Sequence, residues 1–172
     1  SKNSFLNSEF EKRDNQNNLI GKVKIEKPIE VLFEGIDLDV YKPTNDIFDL
    51  SEVKEQFAYL FVGHWIQGDI GEDRKNVGLL IKAFYETFKN KSKQPALILK
   101  TSTVGASYMD RDAILKKMKA IQNAVNSKNL PNIYLLHGEF TNEEMNQIYN
   151  HPKVKAMVSL TKGEGFGRPL LE

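Results

Sequence analysis

Beyond residue 50 the apolar positions fall into a repeating rhythm. Phe57–Val62 (Phe-Ala-Tyr-Leu-Phe-Val) is a continuous apolar run closed by Gly63, the pattern of a strand covered on both faces. A polar, glycine-containing stretch from Gly63 to Arg74 follows, and then Val77, Leu80, Ile81, Phe84 and Phe88 recur at helical spacing. The unit repeats: Ala96–Lys100 predicts a strand, Thr101–Tyr108 a loop, and Ile114, Met118, Ile121 and Val125 the buried stripe of a helix that Asp110 can cap. A third unit has a strand over Asn132–Leu136 and a loop at His137-Gly138-Glu139-Phe140. Thr141 and Glu144 then have the spacing of a capping box for a helix bearing Met145, Ile148 and Tyr149 and stopped at Pro152. Val154–Leu160 opens the fourth unit as a buried strand, and a glycine loop follows it. Strands alternating with helices through short connections predict an α/β fold: a Rossmann-like parallel sheet with helices on both faces and the four loops along one edge. Ligands of open α/β sheets sit at that edge.

The first 29 residues break the rhythm. They are polar, with scattered apolar positions at Phe5, Leu6, Phe10, Leu19, Ile20, Val23 and Ile25, and a helix around Ser8–Arg13 is the local option. Val31–Glu34 reads as a short strand ended by Gly35. The division expected is residues 1–29 as a linker and residues 30–172 as one ligand-binding domain.

Composition narrows the function. With 40% hydrophobic residues the chain can bury a core, and a net charge of +1 gives no bulk attraction to nucleic acid or to an anionic membrane. Cysteine is absent, which removes disulfides, thiolate catalysis and cysteine-bound metals. No apolar run approaches a membrane span and no signal peptide opens the chain, so a soluble, cytoplasmic domain is expected. Neither Gly-x4-Gly-Lys-Ser/Thr nor a Gly-x-Gly-x-x-Gly after the first strand occurs, so ATP hydrolysis and NAD chemistry lose their main support. The three histidines form no helical i, i+4 pair; His137 and His151 read as structural and no metal site is expected. Asp37-Leu38-Asp39 has the Asp-x-Asp form of a metal motif but reads as a solvated turn.

The last eleven residues carry the sharpest chemistry. Gly163, Gly165 and Gly167 alternate through Lys-Gly-Glu-Gly-Phe-Gly-Arg-Pro, and Pro169 suits the first turn of a helix. A strand, a glycine loop and a helix start in that order suit a phosphate or diphosphate. Arg74 and Lys75, where the first long loop enters its helix, can face an anion held there; the alternative is a pair of solvated charges at a helix start.

Glu164 and Glu172, seven residues apart around Gly-Phe-Gly, give the chain a resemblance to the retaining glycosyltransferases of the two-domain GT-B fold, especially family 4. The resemblance covers about residues 30–172, with Ser8-Glu9-Phe10 similar to the tail of the acceptor-side domain, which would make residues 1–29 that tail, and Ile29–Asp37 similar to the crossover between the two domains. It implies transfer of a sugar from a nucleotide-diphosphate sugar to an acceptor hydroxyl with retention of configuration, the leaving phosphate lying on the face the acceptor enters. It also implies that Lys75 stabilises the leaving diphosphate without a metal, with Arg74 able to swing in from its long loop as the second cation, and that Glu164 and the backbone of Gly165, Phe166 and Gly167 meet the sugar and diphosphate. Glu172 would accept hydrogen bonds from the ribose hydroxyls, and Phe140 and Thr141 would lie against the base. Gly63 would line the donor site beside His64, which stands where the family has an arginine. The partners implied are the donor, a sugar, lipid-linked or other hydroxyl acceptor, and an acceptor-side domain of the same protein; association with a membrane would come through that domain. On this resemblance the chain is expected to be a donor-binding half truncated near Glu172, inactive in transfer by itself. A non-catalytic nucleotide-sugar binding module and a sugar-nucleotide epimerase are the competing readings.

Overall fold

The computed structural model describes residues 5, 8–25, 27–32, 34–66, 70–103 and 105–172. The chain divides into two compact units, Ser1–Gly35 and Ile36–Glu172. That boundary lies a little beyond the one the polar composition suggests.

In the first unit, β1 (Glu9–Arg13) pairs antiparallel with β2 (Leu19–Lys24). The local option of a helix over Ser8–Arg13 is therefore wrong. The physical reason lies in Asp14-Asn15-Gln16-Asn17-Asn18: the Asp14 carboxylate accepts from the Gln16 and Asn18 amides, and Asn17 takes a left-handed φ of 68°, which folds the chain back on itself. Cross-strand partners then match in character, Phe10 opposite Val23 and Glu9 opposite Lys24. Val31, Leu32 and Glu34 are not in a strand, and Phe33 of that expected element lies outside the described residues.

The second unit is α/β, a four-stranded parallel sheet flanked by helices and compatible with a Rossmann-like fold. Its strands are β3 (Ala58–Val62), β4 (Ala96–Lys100), β5 (Ile133–Leu136) and β6 (Val154–Met157), in the order β5-β4-β3-β6. The helices are α1 (Val77–Phe88), α2 (Tyr108–Ala124), α3 (Asn142–Tyr149) and the short α4 (Arg168–Leu171). Side chains alternate across the sheet. Phe61, Leu97 and Leu99 pack on one face with Ile81 and Phe84 of α1 and Ile114 and Met118 of α2. Leu60, Ala96 and Ile98 pack on the other with Met145 and Ile148 of α3 and with Tyr41, Leu50 and Val53. Leu97, Ile98 and Leu99 are wholly buried, each contributing about 1.5 to 3 kcal/mol on removal from water, which makes β4 an anchor of both layers.

Helix starts follow the sequence with one exception. Thr141 and Glu144 form the reciprocal capping box at α3. At α2 the cap is Ser107, whose hydroxyl accepts from the Asp110 amide, and not Asp110 itself. The Asp110 carboxylate instead accepts from the Thr103 hydroxyl and from His137 Nε2 at 2.8 Å, tying the loops after β4 and β5 together. Burial pushes the Asp110 carboxyl up, but these hydrogen bonds outweigh it and leave its pKa below the ordinary value. Among the described residues no helix is long and apolar enough to cross a membrane.

Candidate functional site

A cleft of about 280 Å³ opens at the carboxyl edge of the sheet. Val62, Gly63 and His64 reach it from the end of β3, Lys100, Thr101 and Ser102 from the end of β4, and Phe140, Asn142, Met145 and Tyr149 from the loop after β5 and from α3. Arg168, Pro169 and Glu172 enter from the glycine loop's end, and Tyr41 closes one wall. Tyr41 is brought there because Asn146 on α3 bonds the backbone of Lys42 in both directions, donating to its carbonyl at 2.9 Å and accepting from its amide at 3.2 Å.

Of the residues expected from the sequence, Gly63, His64, Phe140 and Glu172 line this cleft. Thr141 stands between two lining residues, its hydroxyl committed to the α3 cap. Glu172 directly follows α4. One of its carboxylate oxygens accepts from Arg168 Nε and the other from the Tyr149 hydroxyl at 3.1 Å. Burial, and then the negative charge of Glu172, push the Tyr149 phenol up, so it stays protonated and donates. Phe140 carries the Lys100 ammonium 4.4 Å from its ring centre, and that ammonium also donates to the Gly138 carbonyl at 2.8 Å. Burial pulls the Lys100 pKa down, with Glu139 acting in the opposite sense. Among the described residues the buried Thr101 hydroxyl has no hydrogen-bond partner.

Arg74, Lys75 and Glu164 come together in a cluster of their own. Two loops are first knit to each other: the Lys162 amide donates to the Arg74 carbonyl at 2.9 Å, Lys162 Nζ reaches the Gly71 and Glu72 carbonyls, and Asn76 Nδ2 donates to the Leu160 carbonyl at 2.8 Å. This docking sets Lys75 Nζ on one Glu164 oxygen. It also sets Arg74 at 3.5 Å from the other and at 2.7 Å from the Gly163 carbonyl. The hydrogen bond from Lys75 leads the causes that hold the Glu164 carboxyl below its usual range, with Arg74 adding to them against a desolvation cost. The cluster and the cleft share Gly63: a β-carbon there would meet Phe61 at 3.1 Å and the Lys75 stem at 3.4 Å, so the lysine passes directly over a cleft-lining residue.

Gly167 has φ 78°, the left-handed turn that lets the loop enter α4, while Gly163 and Gly165 have open space around them. Phe166 is partly exposed. Asp37 accepts from the Asp39 amide at 2.9 Å within its own turn. Among the described residues no group of three or more His, Asp or Glu is placed to hold a metal ion.

Lys100, Arg168, Tyr41 and Tyr149 were not expected in the site. Lys100 closes a strand and Tyr149 a helix stripe, so each reads as part of an element. Arg168 stands inside the motif, four residues before Glu172, and that spacing is the one signal from which its ion pair could have been read. Compared with models of protein families, with curated proteins and with solved structures, the chain finds no match in any of the three.

Proposed function

We propose that the Ile36–Glu172 unit binds a nucleotide-diphosphate sugar and serves as the donor half of a retaining GT-B glycosyltransferase of family 4. The nucleoside occupies the cleft, with the base toward Phe140 and Lys100 and the ribose on Glu172. The diphosphate and sugar extend past Gly63 toward Lys75, Arg74 and Glu164. The observation that carries this reading is the charge balance at the two motif glutamates. Glu164 is met by two cations, an arrangement that suits a diphosphate; Glu172 is met by one cation and a phenol, which suits neutral hydroxyls.

In the transfer proposed, the bond between the anomeric carbon and the β-phosphate oxygen breaks, and the acceptor oxygen bonds to the same face. The acceptor proton passes to the departing phosphate. Fixed cations near the diphosphate lower the barrier by stabilising charge that develops as the bond breaks. The His64 imidazole, 3.2 Å from the Ser102 hydroxyl, stands where the family resemblance has an arginine, so Lys75 and Arg74 carry that task together. The acceptor hydroxyl is oriented by an acceptor-side domain.

A thermal-shift panel of UDP, GDP and ADP and their hexose conjugates, in EDTA, tests the reading. At least one diphosphate and its sugar conjugate should raise the melting temperature by several degrees. No shift with any of them at millimolar concentration would contradict it.

A further inference from the structure

The Tyr41 phenol stands beside Glu172 and is pushed up by burial and then by its charge, but the hydrogen bonds to the carboxylate come from Tyr149 and Arg168, which are not equivalent. Tyr149 ends α3, a helix fixed by its capping box and by buried Met145 and Ile148, and its ring lies 6.3 Å from that of Tyr41. Arg168 keeps 53% of its side chain in solvent, whereas the Glu172 side chain keeps 8%. One carboxylate oxygen is therefore pinned from the protein side and the other is covered by an exchangeable, solvent-facing cation. An ionised carboxylate has about four acceptor positions, so a second partner can join without breaking the first bond.

We propose that Tyr149 is the positioning residue of Glu172: its hydroxyl fixes one oxygen so that the other, exchanging Arg168 for ligand, presents a rigid acceptor to the cis-diol of a ribose. This rests on the nucleotide reading of the cleft. A freely rotating carboxylate would lose the entropy of fixing its side chain each time it engaged a diol, and a pinned one would not. The high pKa of the phenol keeps the donor in place across the working pH range.

The test compares affinities of the wild-type chain for UDP, GDP or ADP, whichever binds, with those for the 2′-deoxy counterpart. A hydrogen bond to a charged acceptor predicts a preference of roughly tenfold for the ribose form. Tyr149→Phe keeps the ring and removes the hydroxyl. It should weaken the ribonucleotide by roughly tenfold, leave the deoxynucleotide within about twofold, and so bring the ratio near one. Adding Tyr149→Phe to Glu172→Gln should cost nothing further. A ribose preference that survives Tyr149→Phe, or an equal loss for both nucleotides, would overturn the positioning role while leaving the nucleotide site intact. A wild-type chain that binds nucleotide with no ribose preference would overturn it by removing the diol from Glu172, and one that binds no nucleotide would take the underlying reading with it.

Discussion

Glu164 and Glu172 belong to one short motif, and the structure builds their surroundings in opposite ways. Glu164 is held from afar, by Lys75 and Arg74 on the loop that leads into α1, after two loops have docked through backbone bonds. Glu172 is held nearby, by Arg168 four residues before it and by Tyr149 on α3. The first environment depends on tertiary docking and sets two cations on the carboxylate; the second depends on one helical turn and a neighbouring phenol and sets one cation there. One motif can therefore serve two chemically different parts of a ligand, an anionic part and a hydroxyl-bearing part, because each acid has its own kind of partner.

The largest effect that would break this contrast is expected from Lys75→Ala. The Lys75 side chain is 9% exposed and that of Glu164 22%, so removing the ammonium leaves a mostly buried carboxylate with Arg74 as its remaining cation among the described residues. We expect a loss of roughly 2 to 3 kcal/mol in urea unfolding, less than the 3 to 5 of a fully enclosed pair. Diphosphate affinity should fall well beyond nucleoside affinity; equal losses would mean that Lys75 serves the fold alone.

Gly63→Ala should come next. The added carbon has to push Phe61 or the Lys75 stem aside, an overpacking cost of about 1 to 3 kcal/mol by thermal unfolding. It should disturb the Glu164 end first, and an unchanged melting temperature would show that the lysine stem moves freely.

Thr141→Ala removes the cap of α3 and should cost about 1 kcal/mol. Because α3 carries Tyr149, its effect on ligand should appear at the Glu172 end, as a weaker ribose preference and not as a weaker hold on phosphate. Arg168→Ala should be the mildest, about 0.5 kcal/mol, since its guanidinium is largely in solvent.

Acid separates the two ends further. Lys75 and Arg74 depress the Glu164 carboxyl below its usual 4.5, so the folded state binds that proton less readily than the unfolded chain. The resulting stability is complete above about 4.5 and is lost as pH falls through the depressed value. Melting temperatures of the wild type and of Glu164→Gln should therefore converge in acid and diverge toward neutrality. Parallel curves would remove Glu164 from the linkage.

The contrast also marks what could be read from the chain. β3, β4 and α1 were legible because a fully apolar run such as Ala-Leu-Ile-Leu has one stable place, inside a sheet covered on both faces. The α3 cap was legible because both halves of the box lie within four residues. The hairpin β1–β2 was not, since all but one of its paired residues are exposed or nearly so and no buried face imposes a period. The Asp110 carboxylate was misassigned because Ser107 supplied the cap and freed it for Thr103 and His137, a choice made by tertiary packing. At the site, the glycines and both acids were readable as a motif, while Tyr41 and Lys100 enter only through how segments distant in sequence dock.

The central claim, that the cleft and the Glu164 cluster form one site for a nucleoside diphosphate, is tested most directly by calorimetric titration in EDTA. The same chain is titrated with the best-bound diphosphate and with its parent nucleoside, for the wild type, Lys75→Ala and Glu172→Ala. The account predicts that the wild type prefers the diphosphate by at least tenfold, that Lys75→Ala erases most of that preference, and that Glu172→Ala weakens both ligands by similar factors. Equal wild-type affinity for diphosphate and nucleoside, or a Lys75→Ala chain that keeps the preference, would contradict it.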